Sequence, residues 1–117
     1  MTPAELTGEL LRLSRLLDDA NRAVRDRGRA QAEHERDYRK ARALAWLDAA
    51  GTAQERKDAV DAATADERYA RDLAESDHRA AWEAVRNLRV QMSALQTIAG
   101  VERETAAIGR TGPEATP

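Results

Sequence analysis

Apolar and small residues recur at alternating steps of four and three along the N-terminal half of the chain. They are Leu6, Leu10, Leu13, Leu17, Ala20 and Val24, and the same register resumes at Tyr38, Ala41 and Ala45. This spacing is typical of a heptad repeat, in which one stripe of a helix packs against a second helix. Arg27, Gln31 and His34 fill the positions in between, so we expect the middle of this helix to be its least stable part.

A second stripe with the same spacing lies near the C-terminal end. It consists of Ala81, Val85, Leu88, Met92, Leu95 and Ala99. Small side chains let two helices approach closely, and the positions before this stripe are mostly alanines. We expect these earlier residues to face the first helix: Ala59, Ala63, Ala70 and Ala74, with Val60 and Leu73 alongside.

Capping residues mark where the helices begin and end. Thr2 with Glu5 three residues later is a capping box, and Thr52 with Glu55 is a second one. Between the two helices, Gly51 is suited to the left-handed conformation that ends a helix. The sequence therefore predicts a first helix over about residues 3–49, a turn at 50–52 and a second helix over about 53–99 or longer.

Two glycine-containing segments affect the predicted shape and extent of the helices. Gly28 costs about 1 kcal/mol relative to Ala inside a helix, so we expect the first helix to be continuous or bent there, with a break as the alternative. Residues 109–117 lack periodicity and predict a disordered tail after a single domain of residues 1–108.

Two observations favour an antiparallel pair of helices. A turn at Gly51 places the two richest apolar stripes at equal distances from the turn, and therefore level with each other. Residues 22–42 contain eight basic and four acidic residues, whereas the facing residues 60–82 contain six acidic and three basic ones. The predicted fold class is all-α, a long antiparallel two-helix hairpin of the coiled-coil type.

Composition and motifs exclude several classes of function. The chain has no cysteine, and its 19 basic and 21 acidic residues nearly cancel, so no global field attracts it to nucleic acid or membrane. Neither a signal peptide nor an apolar stretch of about 20 residues is recognisable, so we expect a cytoplasmic protein without membrane association. The usual phosphate-loop, hydrolase and dinucleotide motifs are missing, so we expect no enzyme, no catalytic residue and no cofactor.

The sharpest chemical pattern is Glu75 and His78, which form a Glu-x-x-His on one helical face. A di-iron carboxylate bundle carries this motif on two of its helices, so one chain supplies half of what the bundle contributes. A dimeric, ferritin-like metal-binding hairpin is therefore one alternative. The simpler interpretation is a solvated histidine beside ordinary helix charge pairs, and we expect no metal.

A basic stretch in the first helix suggests a second alternative, a nucleic-acid-binding accessory protein. The candidates for phosphate contact are Arg22, Arg25, Arg29, Arg36, Arg39, Lys40 and Arg42. Tyr38 is available for stacking on a base. The acidic residues of the facing helix oppose this field, so nucleic-acid binding is disfavoured.

The remaining candidates are packing or interaction residues. They are Leu6, Leu10, Leu13, Leu17, Val24, Trp46, Trp82, Val85, Leu88, Met92 and Leu95. The two tryptophans are the only large anchors; they serve either as hot spots for a partner or, as we expect, as fillers where alanine leaves gaps. A lone helix pair hides one stripe per helix, so we expect a protein partner and self-association to cover the rest.

Three segments between residues 38 and 99 carry a resemblance. They are Tyr38, Ala41, Arg42 and Ala43; then Gly51 and Thr52 with Glu55, Arg56 and Lys57; and finally LRVQMSALQTIA. With these segments the chain resembles small helical proteins of unknown activity from bacteriophages and prophages of actinobacteria. The resemblance implies a place among early genes for recombination and replication, and it carries over no catalytic residue.

We therefore expect a non-enzymatic adaptor or accessory protein that docks on a phage or host protein of DNA metabolism. A secreted hairpin of the type VII class is a further alternative. Such proteins require a Trp-x-Gly turn, whereas Trp46 is followed here by Leu47 and Asp48, and Gly51 comes too late.

Overall fold

The computed structural model describes residues 1–110, which form three α-helices. Helix α1 is Pro3–Asp48, α2 is Ala53–Ala63 and α3 is Ala65–Arg110. The predicted all-helical fold is confirmed for this part of the chain. Gly109 and Arg110, which the sequence assigns to a disordered tail, belong to α3. The predicted disorder of positions 111–117 lies outside the described residues.

Side chains replace the missing backbone partners at the start of α1 and of α2. The Glu5 N–H donates to Thr2 Oγ1 at 3.1 Å, and the Thr2 N–H donates to Glu5 Oε2 at 3.3 Å, which is the predicted capping box. At α2, the Glu55 N–H donates to Thr52 Oγ1 at 3.2 Å. Gly51 has a φ of +105°, a conformation that glycine adopts without strain, and it lies in the turn between α1 and α2.

The prediction of one uninterrupted second helix is wrong, because the segment divides at Thr64. The backbone of Thr64 has a φ of −113° and a ψ of 14°, and it ends α2. Its buried hydroxyl donates to the Val60 carbonyl oxygen at 2.7 Å, while the Thr64 N–H donates to the same oxygen at 3.0 Å. A threonine hydroxyl that bonds four residues back competes with the backbone and bends helices.

Gly28 does not interrupt α1, which is continuous from Pro3 to Asp48. The neighbour of this glycine is His78 of α3. A Cβ atom at position 28 would lie 3.2 Å from His78 Nε2, which is closer than an ordinary side-chain contact. The glycine therefore gives the imidazole ring room to pack against the α1 backbone.

The chain forms two compact units, each built from two stretches of helix. Unit 1 contains Met1–Ala20 and residues 84–110, and unit 2 contains Asn21–Glu83. Within unit 1, Leu13 lines a cavity with Gln91, and Leu6 lines another with Ala99. Residue numbers rise along α3 as they fall along α1, so the two stretches of unit 1 are antiparallel.

Unit 2 shows the same antiparallel order through its ion pairs. Arg42 Nη1 lies 2.9 Å from Asp61 Oδ1, and Arg71 Nε lies 3.7 Å from Glu35 Oε2. The third pair, Arg27 Nη1 and Asp77 Oδ2 at 4.0 Å, continues the sequence. The partner of α1 therefore changes from α2 to α3 as the chain is followed away from the turn.

The less exposed residues follow one heptad register along α1 and another along α2 and α3. We call these positions the seam. On α1, Leu6 and Leu13 are buried and most other predicted seam residues are half-buried, whereas Arg27 is exposed. On α2 and α3, buried and half-buried residues recur at alternating steps of four and three residues, without a gap. They are Val60, Thr64, Glu67, Arg71, Ala74, His78, Ala81, Val85, Leu88, Met92, Leu95, Ala99 and Glu102.

The predicted alanine face of the second segment is wrong in part. Ala74 is buried and Ala70 half-buried, but Ala59, Ala63 and Leu73 are exposed. The seam runs instead through polar residues, namely Thr64, Glu67, Arg71 and His78. A search for apolar types misses them, although extending the register of the late stripe backwards leads to each one.

Replacing Leu13 by Ala should lower the free energy of unfolding by about 2–4 kcal/mol, because its side chain is 1% exposed and its removal leaves a cavity. Urea unfolding followed by circular dichroism measures the change. Leu11, which is 55% exposed, supplies the matched control, since Leu11→Ala makes the same substitution in the same helix and should cost less than about 0.5 kcal/mol. Equal losses of unfolding free energy in the two variants would contradict the placement of Leu13 in the seam.

Replacing Gly28 by Ala should stabilise the protein less in the wild type than in a His78→Ala background. Alanine is favoured over glycine inside a helix by about 1 kcal/mol, but the new methyl group contacts the imidazole ring. Urea unfolding of the wild type, both single variants and the double variant gives the coupling free energy. A stabilisation of the same size in both backgrounds would show that His78 does not restrict position 28.

Candidate interaction surfaces

A group of charged side chains around Tyr38 connects α1 to α2 and α3 in unit 2. Arg42 Nη1 donates to Asp61 Oδ1 at 2.9 Å and to the Tyr38 hydroxyl at 3.4 Å. The Arg71 guanidinium carbon lies 4.4 Å from the centroid of the Tyr38 ring. Arg71 also pairs with Glu35. We call Glu35, Tyr38, Arg42, Asp61 and Arg71 the Tyr38 cluster.

These contacts shift the pKa values of several residues. The hydrogen bond from Arg42 lowers the pKa of the Asp61 carboxyl, and desolvation opposes this shift. The same hydrogen bond raises the pKa of Arg42. Hydrogen bonding to Asp72 raises the pKa of Arg71, and the charge of Glu35 adds to the effect. The side chains of Arg42 and Asp61 are 31% and 39% exposed, so solvent screens the pair and it selects geometry more than it adds stability.

The Tyr38 cluster changes the role of two residues that the sequence offers for nucleic-acid contact. One face of the Tyr38 ring is covered by Arg71, and its hydroxyl accepts a hydrogen bond from Arg42. The ring is therefore not the open stacking platform that the nucleic-acid alternative requires. Arg42 is half-buried and bonded to Asp61, so it joins α1 to α2 and is not presented to a ligand.

An open groove lies along one side of the α1 and α3 stretches in unit 2. Its volume is about 280 Å³, and its lining consists of Arg27, Ala30, His34, Tyr69, Ala70, Leu73, Ala74 and Asp77. Ala74 is buried at its floor, whereas Tyr69 and Leu73 are 70% and 49% exposed at its rim. We call this feature the unit 2 groove; it offers small residues below and apolar side chains above.

Acidic residues surround the unit 2 groove. Exposed carboxylates lie three, four or seven residues from Ala30 or Ala70, and therefore on the same sides of the helices: Asp26, Glu33, Asp37, Asp66 and Asp77. The basic residues on this side are Arg27, which pairs with Asp77, and Lys40, which lies seven residues after Glu33. The surroundings of the groove are therefore net negative.

The face of α1 opposite the seam carries a row of arginines. Arg22, Arg25, Arg29, Arg36 and Arg39 follow one another at steps of three and four, with Ala32 in the remaining position, and all five are exposed. We call these five residues the arginine stripe. Arg39 pairs with Glu35 at 2.8 Å, while Arg25, Arg29 and Arg36 form no ion pair or hydrogen bond with any residue in the described range.

The proposed metal ligands are engaged in other contacts. Arg79 Nη2 donates to Glu75 Oε1 at 3.2 Å. His78 occupies a seam position between Gly28 and Trp82, whose ring centroid is 6.5 Å from that of the imidazole in an edge-on arrangement. His78 is therefore a packing residue and not the solvated residue that the sequence suggests. Within residues 1–110, no three metal-binding side chains form a group.

The predicted packing residues differ in their burial. Leu6, Leu13 and Val85 are buried. The half-buried members are Leu10, Leu17, Val24, Leu88, Met92 and Leu95. Trp46 and Trp82 are both exposed to about two fifths. Trp82 contacts His78, whereas Trp46 presents apolar surface near the end of α1.

In the described part of the chain, no helix carries a stretch long and apolar enough to cross a membrane. Compared with protein-family models, curated proteins and solved structures, the chain matches none of them.

Replacing Arg42 by Gln should raise the pKa of Asp61 towards its ordinary value of about 3.9, because the hydrogen bond that lowers it is lost. A group whose pKa is lowered by folding contributes stability above its unfolded pKa and loses that contribution as the pH falls through its folded pKa. The stability difference between wild type and Arg42→Gln should therefore shrink below about pH 4. Titration of the carboxylate carbon by NMR checks the pKa directly.

The control for this experiment is Arg39→Gln, which removes the same charge from the same helix but breaks the pair with Glu35. It should leave the pKa of Asp61 in place. An equal rise in both variants would point to a general charge effect and not to the bond between Arg42 and Asp61.

Proposed function

We propose that this chain is a non-enzymatic helical interaction protein that docks an amphipathic helix of a partner protein in the unit 2 groove. The partner helix carries an apolar stripe flanked by lysine or arginine. The observation that carries this proposal is a groove of alanines with exposed apolar rims, set among carboxylates.

The shape of the unit 2 groove suits a third helix. Helices pack at axial distances of about 8–10 Å, and the shorter distances require small side chains at the contact. Ala30, Ala70 and Ala74 supply these small residues along the groove. Leu73 and Tyr69 then lie beside the incoming helix, where burial of their exposed surface favours binding at roughly 25 cal/mol per Å².

The charge around the groove decides between a partner and a second copy of the chain. In a symmetric dimer formed through this groove, the same acidic surroundings would meet each other, and like charges would oppose association. A helix with basic flanks instead places cations near Glu33, Asp37 and Asp66. Charge complementarity therefore favours a different protein over a second copy.

A continuous hairpin is part of the same proposal. The seam register of α2 and α3 has no insertion between Val60 and Glu102, and Gly51 provides the reversal after α1. We propose that one antiparallel seam pairs α1 with α2 and α3, so that the groove has a firm base. The resemblance to phage-encoded helical proteins suggests a partner in recombination or replication, in the cytoplasm of the host, and this stays a prediction.

Two synthetic helical peptides test the proposal on the full chain. Both carry the same leucine stripe; one has lysine flanks and the other glutamate flanks. Fluorescence anisotropy should show at least tenfold tighter binding of the lysine peptide, because only its charges complement the groove. Leu73→Glu should weaken that binding at least tenfold by placing a charge in the rim.

Val90→Glu is the matched control, because Val90 is 68% exposed in unit 1 and the substitution adds the same charge away from the groove. It should change the affinity less than twofold. Light scattering measures the molar mass of the chain alone and so shows whether it dimerises. The proposal would be contradicted if the chain formed a stable dimer that Leu73→Glu dissociates and if the two peptides bound equally well. The groove would then be a surface for self-association.

A further inference from the structure

We propose that the arginine stripe is a binding surface for the phosphate backbone of duplex nucleic acid. This site lies on α1 opposite the seam and is separate from the unit 2 groove. It needs no contribution from a partner protein, so it stands independently of the function proposed above.

The geometry of the stripe supports a linear polyanion as its ligand. From Arg22 to Arg39 the stripe extends about 25 Å at 1.5 Å per residue. This length corresponds to about seven base pairs of a duplex at 3.4 Å per step. Arg25, Arg29 and Arg36 have no partner within the described residues, so phosphate contact would not have to break an internal ion pair.

The acidic residues that argue against nucleic acid in the sequence either border the arginine stripe or are bonded to basic residues. Asp26 and Glu33 lie between the stripe and the groove, three or four residues from stripe arginines, and Asp37 lies on the groove side. Glu35 is paired with Arg39, and Asp61 is bonded to Arg42. The seam faces of α2 and α3 lie on the other side of α1 from the stripe. At physiological ionic strength charges are screened over about 8 Å, so the local stripe counts for more than the net charge of −2.

The side chains of the stripe favour duplex over the other polyanionic surfaces. Arginine binds phosphate oxygens through two parallel N–H donors, which suits a backbone of phosphates. Binding to a single strand draws on stacking aromatics, and one face of the Tyr38 ring is covered by Arg71. A membrane-binding helix carries large apolar residues beside its basic ones, whereas the position within this stripe is Ala32.

Binding to a fluorescein-labelled 24-base-pair DNA of mixed sequence tests the proposal on the full chain. Fluorescence anisotropy at 50, 100 and 200 mM salt should show an affinity that falls with salt. The triple variant Arg25→Gln, Arg29→Gln and Arg36→Gln should bind at least tenfold more weakly at 50 mM salt. Loss of three phosphate contacts should reduce the salt slope by about 2–3.

A matched triple variant, Arg68→Gln, Arg86→Gln and Arg89→Gln, removes the same charge from exposed positions of α3. It should bind within twofold of the wild type, and thermal unfolding should show that both triple variants remain folded. Equal losses in the two triple variants would overturn the stripe as the site. Absence of wild-type binding at 50 mM salt would overturn the proposal as a whole.

Competitors separate the classes of ligand. Polyglutamate of equal charge that displaces the duplex as effectively as unlabelled DNA would assign the stripe to acidic proteins instead. Tighter binding to phosphatidylserine vesicles than to the duplex would assign it to a membrane surface. Tighter binding to single-stranded DNA would contradict the proposal that the ligand is a duplex. Preference for the duplex over all three supports the proposal.

Discussion

The central constraint on this protein is that each helix of a pair can bury only one narrow stripe of side chains against the other. Six of the described residues are buried, and the apolar ones are Leu6, Leu13, Val60, Ala74 and Val85. Because hydrophobic burial is proportional to area, the stability of each unit depends on keeping its own buried residues in register. A register error within a unit would expose the buried residues of that unit.

Polar residues in the middle of the seam set the alignment of unit 2. Gln31, His34 and Tyr38 on α1 share this region with Glu67 and Arg71 on α3, and Glu67 Oε2 is buried without a hydrogen-bond partner among the described residues. Such groups contribute little stability, but they penalise wrong pairings, as polar seam residues do in coiled coils. The contact of Gly28 with His78 acts in the same way, since the ring fits where no side chain opposes it.

Heptad geometry also separates opposite charges that are neighbours in the sequence. Arg25 and Asp26 are adjacent, yet a step of one residue rotates the helix by about 100°, so the arginine joins the stripe while the aspartate lies on the groove side. One helix thus carries a basic face and an acidic face. The nearly balanced composition conceals both faces, because summed charge contains no information about direction.

The sequence alone determined the all-helical fold, the helix starts after Thr2 and Thr52, the turn at Gly51 and the apolar seam positions such as Leu13 and Val85. These features depend on local spacing and on residue types with strong preferences. Only the tertiary structure revealed that Thr64 divides the second segment and that His78 packs on Gly28. It also showed that Arg42 and Tyr38 are bonded to other side chains, whereas Arg25 and Arg29 have no partner among the residues that the structure describes. Their roles depend on which residue of the other helix lies opposite, and the physical reason is that a polar side chain takes its function from its partner, which local spacing does not specify.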